Sequence, residues 1–151
     1  MREGSLFFWG LALDASFLQG VLLGRTRRAL AGRLVRTGVL LLTTPRQFET
    51  ALRSVRMRLL HRGLSEAEIA FFMGEAEKLL FELCAMIEPG DGALAEARRR
   101  GFKPGKDAEL AVLAVELDVP VLTSDGDFWG RGLATWTAEN LTRYLQKGNE
   151  E

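Results

Sequence analysis

The stretch KDAELAVLAVELDVPVLTSDGDFWG, Lys106 to Gly130, decides the reading of the fold. From Ala108 to Leu117 only Glu109 and Glu116 are polar, the pattern of a helix buried around most of its circumference. Pro120 ends that helix. Val119 to Thr123 is then a short β-branched run with proline near its first residue, as in a parallel strand entered from a helix. The unit reads helix, strand, acidic loop. Asp107 stands at the N-terminus of the helix, and Asp125 and Asp127 stand just past the C-terminal end of the strand. In open α/β sheets ligands bind at that edge.

Working outward, Arg2 followed by Leu6 to Leu13 (LFFWGLAL) imitates the start of a signal peptide. The apolar run reaches a charge at Asp14, well short of the ~20 residues that span a bilayer, and no clean small-residue cleavage site follows. We read it as a buried strand that delivers Asp14 to its C-terminal edge. Ala15 to Val21 is expected to be a loop or a short turn of helix, and Leu22 to Val35 a helix closed by Gly38. Val39 to Thr43 is a second strand. Thr44 and Pro45 form a helix start, with Thr44 as N-cap and proline at the first helical position. Phe48, Leu52, Val55 and Leu59 then make one apolar stripe, with Glu49 on its edge and Gly63 as the stop.

Ser65 to Glu68 (SEAE) has the form of a capping box opening a long amphipathic helix. Ala85 to Glu88 is a third strand, Ala93 to Arg100 a short helix, and GFKPGK (Gly101 to Lys106) the loop leading to Asp107. Leu133 to Trp136 is an edge strand, and Thr137 caps a last helix. This order predicts an α/β fold: a three-layer α/β/α sandwich with a mainly parallel four- to five-stranded sheet. We expect a single domain over residues 1–147 and a frayed tail from Gly148 to Glu151.

At 151 residues the chain suits one domain with its own core, and 47% hydrophobic with 26% charged residues is a globular composition. The single cysteine, Cys84, cannot close an internal disulfide, so a reducing, cytoplasmic location is the simplest expectation. The net charge of zero conceals a segregation. Ala15 to Leu64 holds ten arginines and one acid, Glu49, whereas Ser65 to Asp91 holds seven acids and one cation, Lys78. A basic half is the footprint of a polyanion binder, RNA for instance, because cations near phosphates release condensed counterions. The alternative is that these arginines solvate helix faces and pair with the acidic helix.

Four acids have an address near one sheet edge: Asp14 after the first strand, Glu49 early in a helix, Asp107 at a helix start and Asp125 after a strand. Asp127 is a fifth. Converging carboxylates raise one another's pKa unless a cation neutralises them. Hard oxygen donors with no histidine or thiolate favour Mg²⁺ or Mn²⁺ over zinc. Such a site activates water and stabilises the charge of a phosphodiester displacement. Each acid also has a plainer reading: Asp107 as a helix N-cap, Glu49 as the ion-pair partner of Arg53 at i+4, and Asp125 and Asp127 as turn residues flanking Gly126. His61 sits at a helix end, where it complements the dipole.

At these residues the sequence resembles the PIN-domain ribonucleases, the family that includes VapC-type toxins. The matching pieces are LDAS (Leu13 to Ser16), PRQFE ending at Glu49, KDAELAVLAVEL with Asp107, and VLTSDGDFWGRGLATWTAENL (Val121 to Leu141). The resemblance implies a metal-dependent endoribonuclease acting on single-stranded RNA. Asp14, Glu49, Asp107 and Asp125 would be its metal ligands, supported by Asp127, Ser16 and Thr123. It also implies a homodimer and a partner peptide or protein of the antitoxin kind. Lys106, directly before Asp107, departs locally from the family pattern; its ammonium either acts on that carboxylate or faces solvent.

Two other readings compete. A phosphatase of the haloacid dehalogenase type would use Asp14 as nucleophile, but the acid such enzymes carry two residues later is Ser16 here. A non-catalytic RNA-binding or partner-binding module would keep the fold without the chemistry. The sequence has no P-loop, no GxGxxG segment and no Cys/His cluster.

Overall fold

The computed structural model describes residues 8–123, 128 and 132–150. It is an α/β fold in which a five-stranded parallel sheet is flanked by helices on both faces. The strands are β1 (Gly10–Leu13), β2 (Leu40–Thr43), β3 (Cys84–Met86), β4 (Val121–Leu122) and β5 (Thr135–Trp136), in the spatial order β3-β2-β1-β4-β5. Every pairing is parallel: Gly10 lies opposite Leu40, Ala12 opposite Val121, Leu41 opposite Cys84 and Val121 opposite Thr135. The helices are α1 (Ala15–Leu23), α2 (Arg25–Arg36), α3 (Pro45–His61), α4 (Glu66–Leu83), α5 (Ala93–Arg99), α6 (Lys106–Leu117) and α7 (Ala138–Glu150).

Alternation along the strands divides the core in two, as the period of two requires. Leu11, Leu13, Leu41 and Leu122 point into a layer with Phe17, Leu18, Leu34, Val55, Leu80 and Leu141, supplied by α1, α2, α3, α4 and α7. Ala12, Leu42 and Val121 point the other way, onto Leu110, Leu113 and Ala97 of α6 and α5. Buried side chains on α6 run from Ala108 through Ala114 with only Glu109 interrupting, which is the all-round burial its composition predicts. The last helix is held by a chain of rings, Phe8 on Trp136 at 6.1 Å and Trp136 on Tyr144 at 5.4 Å.

Local signals are realised where capping chemistry specifies them. Thr44 caps α3 by accepting from Gln47 N, Pro45 stands in the first turn, and Ser65 and Glu68 form the reciprocal capping box of α4. Several boundaries differ from the sequence reading. Where the pattern predicts a loop and then one helix from Leu22, two helices form. Asp14 already caps a helix beginning at Ala15, and Gly24, in extended backbone, ends α1 and starts α2. Gly38, at φ +91°, follows the cap residue Thr37 and so is one place beyond it. The N-cap of α6 is Gly105 and not Asp107, which falls inside the first turn. Helical backbone continues in α7 to Glu150, past Gly148 where a tail is expected. Among the described residues, no helix is long and apolar enough to cross a membrane.

Candidate functional site

Strand order creates the crevice. From β1 the chain moves outward to β2 and β3 on one side, and β4 and β5 fill the other, so the order reverses between β1 and β4. The carboxyl ends of strands at such a reversal are where open α/β sheets bind ligands. Asp14 follows β1 there and Thr123 follows β4.

Asp14 is 3% exposed and leaves β1 directly into the cap of α1. Its Oδ1 accepts from Phe17 N at 3.0 Å and from Ser16 Oγ at 2.7 Å, and its Oδ2 accepts from Thr123 Oγ1. These hydrogen bonds favour the charged form, but burial outweighs them, and with a smaller contribution from the nearby Asp107 carboxylate it holds the Asp14 pKa above its ordinary value. A buried carboxylate in that condition is stabilised by any cation that reaches it.

Gln47 is the residue that connects the two acids, and sequence reasoning passed over it. It is wholly buried in the first turns of α3. Its Oε1 accepts from Ala15 N at 2.7 Å, next to Asp14. Its Nε2 donates to the Lys106 carbonyl at 3.0 Å and to Asp107 Oδ1 at 3.1 Å. Together these contacts fix the amide's orientation and tie the end of β1 to the start of α6. The available signal was its position on the buried stripe one turn before Ala51, where a polar side chain needs buried partners.

Glu49 is not brought to this pair. Two residues further along a helix is a rotation of about 200°, so with Gln47 facing inward Glu49 faces out. Its side chain is 72% exposed and lies 3.8 Å from Arg53, the i,i+4 partner. The structure leaves Glu49 beside Arg53, the ion pair that its i,i+4 spacing predicts. Glu49→Gln is expected to change stability by less than about 0.5 kcal/mol, as exposed pairs do, measured by chemical denaturation. Asp125 and Asp127 lie outside the described residues. Among the described residues no group of three or more His, Cys, Asp or Glu side chains is placed to hold a metal ion.

The arginines of the basic half are partly used within the chain. Arg28 donates to the carbonyls of Val21 and Leu22, Arg33 to the carbonyl of Leu145, Arg27 lies 3.6 Å from Glu139, and Arg46 pairs with Glu109 at 2.8 Å. Cys84 is buried, and burial pushes its thiol up to about 12, so it stays protonated and unreactive at neutral pH.

No protein-family model matches the sequence, and no curated protein does. Among solved structures the chain is similar to PAE2754 from Pyrobaculum aerophilum. The two are 18% identical, with a TM-score of 0.57 over 91% of this chain and 98% of that one. At that identity the likeness is one of fold.

Proposed function

We propose that the protein is a metal-dependent endoribonuclease acting on single-stranded RNA, with Asp14 and Asp107 at the centre of its site. The observation that carries the reading is the Asp14–Gln47–Asp107 arrangement at the sheet's reversal point, in which a buried carboxylate is kept close to a second by a buried amide. Two hard-oxygen donors whose like charges repel each other fit Mg²⁺ or Mn²⁺, and Asp125 and Asp127 stand next in sequence after β4 to supply further oxygen. When bound, the ion would supply water activation and stabilise the charge that develops on a phosphodiester.

The chain's own groups have separable tasks. Ser16 and Thr123 hold the Asp14 carboxylate in one orientation by donating to its two oxygens. Gln47 sets the spacing to Asp107. The arginines of α2 and α3 supply positive charge for an RNA backbone. Large apolar side chains on the outer faces of α3 and α4, Met57, Leu60, Phe71 and Phe81, support association with a second copy or with an antitoxin-like partner. The single buried thiol fits a reducing, cytoplasmic setting.

The test is incubation of the purified protein with single-stranded RNA. Cleavage is expected with Mg²⁺ or Mn²⁺ and none with a chelator. The aspartyl-phosphatase reading predicts instead hydrolysis of small phosphate esters and a trapped phosphoenzyme. The position of Ser16, which donates to Asp14 where that chemistry needs an acid, favours the nuclease. RNA binding without cleavage in either metal would favour the non-catalytic module.

A further inference from the structure

Asp107 carries a cation from its own chain. Lys106 Nζ lies 3.1 Å from Asp107 Oδ1, the oxygen to which Gln47 Nε2 also donates at 3.1 Å. The two donors differ in freedom. Gln47 is wholly buried and pinned at both ends of its amide, by Ala15 N and by the Lys106 carbonyl. The Lys106 side chain is 38% exposed and reaches the carboxylate on a flexible four-carbon stem. It also lines a cavity of about 480 Å³ formed by Gly101 to Asp107, so it has somewhere to go.

An ammonium and a divalent ion on one carboxylate repel each other whichever oxygen the ion takes. The geometry points to Lys106 as a resident counter-cation that competes with the divalent ion and weakens its binding to the Asp14–Asp107 site. This rests on the reading of those two aspartates as metal ligands. Gln47 keeps Asp107 in place while Lys106 leaves, so the site does not have to be rebuilt for the ion to enter. Lys106 acts here through Asp107, as a positioning residue for charge.

The experiment is calorimetric titration with Mn²⁺, without RNA, on the wild type, Lys106→Met and Lys106→Arg, each first shown by thermal melting in chelator to be folded. Lys106→Met removes the charge and keeps most of the stem; it is expected to bind Mn²⁺ about tenfold more tightly, ~1.4 kcal/mol. Lys106→Arg keeps the charge and is expected to stay within about twofold of wild type. Should Lys106→Met not fold, Lys106→Gln takes its place with the same expectation. Equal or weaker binding by the neutral variant, with the wild type binding normally, would overturn the competition and leave the metal site standing. Absence of binding by all three at millimolar Mn²⁺ would overturn both.

Discussion

Asp14→Asn is expected to lower RNA cleavage by about 10³-fold or more, the scale on which removal of one charge-stabilising group acts, while making the protein more stable at neutral pH. Asparagine caps a helix as well as aspartate, so α1 keeps its start. Its Oδ1 can still accept from Phe17 N and Ser16, and the Thr123 hydroxyl can turn to accept from the new amide. What disappears is the cost of a buried charge.

The pH dependence follows from the raised pKa of Asp14, which comes first from burial and only secondarily from Asp107. Its ordinary value is 3.8, and the folded value lies above that. The folded state therefore holds a proton in a window where the unfolded chain has lost it. The associated stability is fully present below the unfolded pKa and is lost as pH rises through the folded one. At neutral pH the wild type has lost it, whereas Asp14→Asn, which cannot ionise, keeps it at every pH. The variant should melt higher by the equivalent of about 1 kcal/mol, the gain typical of one favourable substitution. The gap should close as the solution is acidified. Thermal melts across the acid-to-neutral range, without divalent ions, measure this; a variant less stable than wild type at neutral pH contradicts the burial argument.

Gln47→Leu is expected to cost about 2–4 kcal/mol, since it orphans the buried Ala15 N–H and removes a donor from Asp107, each loss being worth about 1–3 kcal/mol. In urea the midpoint should fall with an unchanged slope. Cleavage should drop about 10–100-fold, as when a partner that orients a ligand is removed. Gln47→Glu separates the two tasks. It can still accept from Ala15 N but cannot donate to Asp107, and it adds a third carboxylate. It should be unstable in chelator and recover with Mn²⁺. If neither Gln47 variant alters stability or cleavage, the connecting role assigned to this amide is wrong.

What the sequence made legible was what short-range chemistry determines. The near-continuous apolar face of α6, the caps at Thr44 and Ser65, and the eight-residue apolar run ending at Asp14 each carry their own signal, and together they were enough for an α/β sandwich with a parallel sheet. Strand order carries no such signal, because parallel neighbours are separated by whole helices; the pairing of β1 with both β2 and β4 emerges only when the helices pack. The outward turn of Glu49 has the same root. A carboxylate near a helix start attracts attention by its chemistry, whereas its neighbour Gln47 attracts none, and the local pattern left the face each one presents undecided. Packing of Phe48, Ala51, Val55 and Leu59 fixed the helix rotation and turned Gln47 inward. The break at Gly24 has no counterpart in the sequence reading, a loop or short turn over Ala15 to Val21 and one helix from Leu22, because the helical spacing of Leu22, Leu30 and Leu34 runs across that glycine.

The central claim, that Asp14 and Asp107 form a metal-dependent nuclease site, is met most directly by one comparison: single-stranded RNA with Mn²⁺, incubated with wild type and with Asp107→Asn, both verified as folded. Cleavage by the wild type, absent in chelator and lost in the variant, is the predicted result. Equal cleavage by both proteins would assign the activity to a contaminant and contradict the site.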